Sequence, residues 1–347
     1  MPKIKIAING FGRIGRAAFK AATNNLNSGL TPSLNLNCED VEICAINDLT
    51  DTKTLAYLLK YDSVYGKLNK DIKTDEKNIF VGGEKYPIFA EKDPGKLPWK
   101  DLGVDIVLEC TGRFTEYDKA KMHITSGAKK VIISAPGKGF GGDIQVLGTE
   151  KAQKGNFADI LSNGSCTTNC ISPVMQVLET SFGIEKSFMT TVHSYTSTQN
   201  IVDGPSKDLR RGRAGASNII PTTTGAAIAT TKVIATLNNK FDGIALRVPT
   251  LCGSISDITA IVKRTVTAEE VNKRFEKAEN EPLFKGILKT TKDPLVSSDI
   301  LGTPFSSIVD TSFTKVVGGN MVKVFCWYDN EWAYSLRLVE LAIKSFN

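Results

Sequence analysis

Apolar positions in the first half of the chain fall into short runs separated by stretches of helical composition. Residues 3–8 alternate and then turn wholly apolar. Residues 41–46, 104–110 and 131–134 are Val/Ile-rich, while residues 13–23 and 115–127 read as helices. Strand and helix in alternation predict βαβ units built on a parallel sheet. In the second half, strand candidates follow one another directly at 189–193, 243–248, 257–262 and 321–327, with one helix-like segment at 268–278. Such succession predicts an α+β domain with a mixed or antiparallel sheet. Trp332, Leu336, Val339, Ile343 and Phe346 recur every three or four residues, forming one apolar stripe of an amphipathic helix. The expected division is a first domain of residues 1–164, completed by a returning C-terminal helix at 331–347, and a second domain of residues 165–330.

Composition narrows the class. The chain has 347 residues, 41% apolar and 23% charged, which is ordinary globular usage and long enough for two domains. No apolar run reaches the roughly 18–20 residues that cross a bilayer, and the first residues enter a strand pattern with no secretory signal in view. The net charge of +6 suits anionic ligands. Without an RNA-reading motif or a long basic run, nucleic acid is not expected as a primary partner. Seven scattered cysteines do not form a secreted disulfide framework, so a reducing cytoplasm is the better expectation. Two histidines and no paired Cys-x-x-Cys elements argue against a metal site.

Asn9-Gly10-Phe11-Gly12-Arg13-Ile14-Gly15 is a G-x-G-x-x-G between a predicted strand and helix, which makes the first domain an α/β Rossmann-type cofactor domain. Gly10 permits the tight turn and Gly12 the close approach of a pyrophosphate. Gly15 allows the helix to pack on the strand, and the helix N-terminus attracts phosphate charge. Asp48, at the end of the second strand, is the candidate ribose ligand, and a carboxylate there favours NAD over NADP. It arrives later than the usual spacing of about 20 residues. The Asn-rich stretch 24–37 accounts for the excess and reads as a surface insertion without an assigned role.

Ser165-Cys166-Thr167-Thr168-Asn169-Cys170 follows a strand-like segment and opens an apolar helix. With Ser165 as N-cap, Cys166 stands at the helix start, where thiol pKa falls, whereas Cys170 lies a turn inside. A thiol nucleophile needs a base. His193 ends a strand pattern and is the candidate; His123, in a Lys-rich helix, reads as a solvated surface residue.

These residues resemble the phosphorylating glyceraldehyde-3-phosphate dehydrogenases. The likeness runs through residues 9–15, 47–49, 60–63, 165–170, 191–195, 208–211, 221–225, 247–250 and 327–331. It implies oxidation of glyceraldehyde 3-phosphate by NAD and inorganic phosphate to 1,3-bisphosphoglycerate, through a hemithioacetal and then a thioester on Cys166, with His193 as base. By the same resemblance Thr196 and Arg247 bind the substrate phosphate. Ser165, Thr167, Thr224 and Gly225 hold the attacking phosphate. Arg13 and Ile14 lie at the cofactor phosphates, Lys92 and Ser134 near the adenosine, and Asn330 at the nicotinamide amide. Lys92 stands where arginine is common in the family. Gly204-Pro205 matches a loop that lines a neighbouring subunit's cofactor site, which implies a homotetramer. Erythrose-4-phosphate and aspartate-semialdehyde dehydrogenases are the rival enzyme readings. The complete phosphate set favours the three-carbon phosphate ester over both.

Overall fold

The computed structural model describes residues 2–27 and 29–346, and they cluster into two compact units. Of these residues, the first unit holds those within 2–145, 155–165 and 334–346; the second holds 146–154 and 166–333.

In the first unit, strands β1 (Ile4–Asn9), β2 (Val41–Asn47), β5 (Ile72–Thr74), β6 (Asn78–Val81), β7 (Glu84–Phe89), β8 (Ile106–Glu109), β9 (Lys130–Ile133), β10 (Asp143–Ile144) and β11 (Ile160–Ser162) form one sheet. Its order is β10-β11-β9-β8-β1-β2-β7-β6-β5. Every pairing from β10 to β7 is parallel, and only β7-β6-β5 is antiparallel. A small ribbon, β3 (Tyr61–Asp62) with β4 (Gly66–Lys67), stands apart. Helices α1 (Arg13–Thr23), α2 (Thr52–Lys60), α3 (Trp99–Leu102) and α4 (Tyr117–Thr125) connect the strands. The Rossmann-type reading is borne out. The hairpins at 72–89 escaped the sequence pattern because charged residues interrupt their apolar runs.

Strand β1 lies between β2 and β8, so the order reverses there, and the crevice at the carboxyl ends of these strands is the expected ligand site. Register brings Asn9 opposite both Asn47 and Glu109. These buried polar ends bond to one another. Asn47 Nδ2 donates to Asn9 Oδ1 at 2.7 Å, and Asn9 Nδ2 donates to Glu109 Oε2 at 2.5 Å.

One expectation fails in this unit. His123 is not on the surface: it is fully buried, with Nε2 3.1 Å from Glu109 Oε2 and Nδ1 accepting from Trp99 Nε1 at 3.0 Å. The lysines beside it occupy the outer face of α4, while the helical period turns His123 inward. The 24–37 stretch is largely exposed, as expected of a surface insertion, but it is anchored at several points. Asn27, Leu30 and Ser33 are buried, and Ser33 Oγ bonds the carboxylate of Glu340 in the C-terminal helix α9 (Trp332–Phe346).

In the second unit, β12 (Ile184–Ser194), β13 (Ile220–Thr223), β14 (Phe241–Val248), β15 (Ser254–Val262), β16 (Leu288–Thr291), β17 (Ser307–Val317) and β18 (Met321–Tyr328) form a mixed sheet. Its order is β13-β14-β12-β15-β18-β17-β16. The expected mixed sheet is therefore present, with β17 added, a strand whose irregular register at 310–315 hid its period. Helices α6 (Cys166–Phe182), α7 (Ala226–Val233) and α8 (Ala268–Ala278) cover one face. The short helix α5 (Glu150–Gln153) belongs here too, since Glu150 N bonds Gln176 of α6.

Candidate active site

Helix α6 runs about 25 Å, and β12 returns along it after the turn at Gly183. The return brings the last residues of the strand beside the first residue of the helix. Cys166 Sγ lies 3.3 Å from His193 Nε2. Strands β12 and β14 are parallel neighbours with His193 opposite Arg247, so both side chains share one face of the sheet. Arg247 Nη1 sits 2.5 Å from His193 Nδ1 and donates to Ser194 O at 2.9 Å. His193 Nδ1 is also 2.7 Å from Ser194 O.

The electrostatics differ from the simple helix-terminus expectation. Burial pushes the Cys166 thiol up; the charge of Arg247 and hydrogen bonds from Thr167 oppose that rise without cancelling it. His193 is pushed down to about 3, chiefly by burial and then by Arg247. Both shifts run toward the neutral forms. Cys166 is only half-buried, so it remains within reach of a small substrate. Cys170 is fully buried against Ser307 and the Cys326 carbonyl, each 3.8 Å from its sulfur, and burial holds it protonated.

The remaining anion-site candidates have separate partners. Thr196 Oγ1 bonds Thr198 Oγ1 at 2.9 Å on the loop after β12. Gly225 is exposed at the N-cap of α7, and Thr224 Oγ1 accepts from Ala226 N at 3.2 Å. The Thr167 hydroxyl is buried on Tyr328 OH at 2.9 Å, and Ser165 is half-buried immediately before α6. Arg247 Nε is buried with no hydrogen-bond partner, a donor that a phosphate oxygen would satisfy.

Asn330 is oriented by its surroundings. Its Oδ1 accepts from Gly253 N, Ser254 Oγ and Ser194 Oγ, each at 3.0 Å. The backbone donor assigns the oxygen, which leaves Nδ2 as the group to offer a carbonyl acceptor.

In the first unit a cavity of about 400 Å³ opens at the switch point. It is lined by Gly10, Gly12, Asp48, Lys92, Thr111 and Phe114 among others. Gly10 has φ +94°, and a Cβ there would lie 2.7 Å from Thr111 N; a Cβ on Gly15 would lie 2.1 Å from Gly10 O. At Gly12 a Cβ would meet nothing, so that side is open to a ligand's phosphates. Asp48 is pinned by Phe11 N at 2.7 Å and Thr50 N at 3.0 Å. These residues fit a dinucleotide. Arg13, Ile14 and Ser134 are not among the residues lining the cavity. Arg13 pairs with Asp62 at 3.2 Å, Ile14 is half-buried in α1, and Ser134 N bonds Glu109 O.

The comparisons follow this division. Residues 4–117 match the family model described as glyceraldehyde 3-phosphate dehydrogenase, NAD binding domain, and residues 165–330 match its C-terminal domain. The chain belongs to the glyceraldehyde-3-phosphate dehydrogenase family. Curated glyceraldehyde-3-phosphate dehydrogenases of Thermotoga maritima, Streptomyces coelicolor and Geobacillus stearothermophilus are 51%, 49% and 49% identical to it. Each alignment covers 97–98% of both chains. This dehydrogenase uses NAD.

Several residues of the site went unassigned from sequence. Tyr328 bonds both Thr167 and Thr191 and sets its ring edge-on to His193 at 5.9 Å. It lies inside a matched motif, so its presence was legible but its contacts were not. Thr111 and Phe114 follow β8, where the switch-point rule could have found them.

Proposed function

We propose that Cys166 and His193 are the nucleophile and base of an NAD-dependent oxidation of glyceraldehyde 3-phosphate to 1,3-bisphosphoglycerate. An aldehyde carbon must become tetrahedral before it gives up hydride. Cys166 sulfur adds to it, forming a hemithioacetal whose oxyanion the Cys166 N–H can stabilise. Bound NAD supplies the hydride acceptor. His193 Nε2 takes the hydroxyl proton as the C–H electron pair leaves, and the product is a thioester. Inorganic phosphate then attacks that carbon and sulfur departs as thiolate. The 3.3 Å contact between sulfur and Nε2 is the observation that carries this reading.

Arg247 with Thr196 is the proposed seat of the substrate phosphate, and Thr224, Gly225, Thr167 and Ser165 that of the attacking one. Gly10, Gly12, Gly15, Arg13, Ile14, Asp48, Lys92, Ser134 and Asn330 are the proposed cofactor ligands. We also assign the working form as a homotetramer in the cytoplasm. The outer face of the second unit's sheet exposes Phe188, Ile244 and Phe313, where a solvated sheet would be polar. The loop at 201–213, cross-linked by Arg213 and Asp203 at 2.8 Å, exposes Ile201, Val202 and Leu209. A second copy of the chain is the cover these surfaces call for. Seven cysteines with no disulfide among the described residues suit a reducing compartment. No helix among the described residues is long and apolar enough to cross a membrane.

The test is NADH formation from glyceraldehyde 3-phosphate with inorganic phosphate present or withheld. Sustained turnover should require phosphate, and without it oxidation should stop near one equivalent per site. Cys166→Ser should abolish oxidation, while Cys170→Ser keeps most of it; equal losses would refute the assignment. Slower turnover of erythrose 4-phosphate and aspartate semialdehyde is expected under the same conditions.

A further inference from the structure

The three strands at the switch point each end on a buried polar residue: β1 on Asn9, β2 on Asn47 and β8 on Glu109. Glu109 is 1% exposed, and four hydrogen-bond donors converge on its carboxylate. Its Oε1 accepts from Thr111 N at 2.8 Å and from the Thr111 hydroxyl. Its Oε2 faces Asn9 Nδ2 at 2.5 Å and His123 Nε2 at 3.1 Å.

Both ends of this network are fixed by groups that can only donate. The Trp99 indole N–H points at His123 Nδ1, 3.0 Å away, so Nδ1 is bare and the ring's proton sits on Nε2. At the other end Glu91 N donates to Asn47 Oδ1 at 2.9 Å. That bond turns Asn47 Nδ2 toward Asn9 Oδ1, and so turns Asn9 Nδ2 toward Glu109. Donors arrive at Glu109 from both sides, and a group that only accepts is the one that fits. None of the four donors is charged. A carboxylate buried among neutral donors carries a desolvation cost that an apolar side chain would not. In return it fixes direction, because each bond to it has one allowed polarity.

The cavity at the switch point lies against this network. Asn9, Asn47, Glu91 and Thr111 line it, whereas Glu109, His123 and Trp99 are not among its lining residues. Gly10, Asp48 and Lys92, three of the proposed cofactor ligands, directly follow Asn9, Asn47 and Glu91 in the chain. We infer that Glu109, held as an acceptor by His123, is a positioning residue for the cofactor. It sets the segments after β1, β2, β7 and β8 in the one arrangement that receives NAD. The inference deepens the reading of this cavity as the cofactor seat, and rests on it. It places the effect of Glu109 on NAD binding and none of it on hydride transfer.

NAD titrations and steady-state kinetics of the full-length enzyme test it. Glu109→Gln keeps the shape of the side chain, but its amide NH2 must face either Thr111 N or both Asn9 Nδ2 and His123 Nε2. NAD affinity should fall about tenfold or more, the size of one lost charged hydrogen bond, and the KM for NAD should rise in step. At saturating NAD, kcat should stay within about twofold of the parent value. Asn9→Asp alone should bind NAD poorly too, because it sets two carboxylates against each other. Asn9→Asp combined with Glu109→Gln should recover most of the lost affinity. The carboxylate then stands at position 9, where the present Asn9 Nδ2 is 3.3 Å from His123 Nε2. There it accepts from His123, from Asn47 and from the new amide, while the amide oxygen at 109 still accepts from Thr111. This rescue is the outcome that a role in stability alone does not predict. Unchanged NAD affinity in Glu109→Gln, a loss of kcat with the KM for NAD unchanged, or a double variant no better than the single ones overturns the inference. Should Glu109→Gln fail to fold, the double variant carries the test alone, and NAD binding weaker than in the parent by tenfold or more overturns it. Asp48→Ala is the control for the cavity. If it weakens NAD and Glu109→Gln does not, only the positioning role falls; if it leaves NAD binding unchanged, the cofactor seat falls and the inference with it.

Discussion

Asp48 shows how position suits one side chain to a proposed task. It stands one residue beyond β2, and two backbone N–H groups hold its carboxylate at the lip of the cavity. There it can accept from a ribose hydroxyl and repel a 2′-phosphate. Asp48→Ala should weaken NAD binding and narrow the gap between NAD and NADP by about tenfold or more, one lost charged hydrogen bond being worth about 1.5–3 kcal/mol. Titrations of both cofactors measure it, and unchanged selectivity rejects the role. His193 carries a second consequence at this scale. Its proton affinity in the folded chain is below the ordinary value of 6.5, falling to about 3. The unfolded chain therefore binds that proton more readily between these values. Stability from this group is complete above pH 6.5 and is withdrawn as pH falls toward 3. Thermal midpoints recorded from pH 7 to pH 4 should drop, and His193→Gln should flatten that slope.

Among the elements, α1 combines a signature with an awkward burial. Its first turn follows the glycine motif, and Ala17, Ala18, Phe19, Ala21 and Ala22 are all buried. Lys20 lies on the same helix with its side chain buried, lowered to about 8 mainly by that burial. Nearby Arg16 and Arg13 add repulsion, and only Asp62 counters it. Lys20→Met should fill the same volume without the charge and stabilise the chain by about 2 kcal/mol at pH 7. A lowered lysine sheds its proton earlier when folded, so wild-type stability recovers as pH rises from 8 toward 10.5 and the advantage of Met shrinks. Denaturant midpoints at pH 7 and pH 9.5 check both parts. Helix α4 shows the limit of local reading. Its lysines advertise a wet surface, yet the period hides His123 beneath them against Glu109 and Trp99.

At the scale of the whole molecule, the second unit's sheet has a covered face and a bare one. Helices α6, α7 and α8 cover the first. On the other, Phe313 and Phe325 stack edge-on at 5.9 Å, and Phe188 and Ile244 are 48% and 43% exposed. A charge at the centre of such a contact costs several kcal/mol when it is buried unpaired. Phe188→Asp with Ile244→Asp should therefore break the proposed tetramer into smaller sedimenting species while the secondary structure is kept. A variant that stays tetrameric would remove this face from the interface.

Some of this was readable in the chain itself. Glycine spacing, the polar Cys166 segment and the carboxyl ends of β1 and β2 are local patterns, and a local pattern survives whatever the rest of the chain does. The α/β and α+β halves were legible for the same reason, because periods of two and of 3.6 are properties of single elements. Contacts between distant residues were not. That Arg247 lies on His193, that Tyr328 takes the Thr167 hydroxyl, and that Ser33 docks on α9 all depend on strand order and register. So does the protonation of Cys166: a helix terminus alone favours a thiolate, but the burial imposed by packing outweighs it. Sequence decided which chemical groups were available and at which ends of which elements. Tertiary structure decided which of them meet, because desolvation and hydrogen-bond partnership are set by neighbours that the chain order does not name.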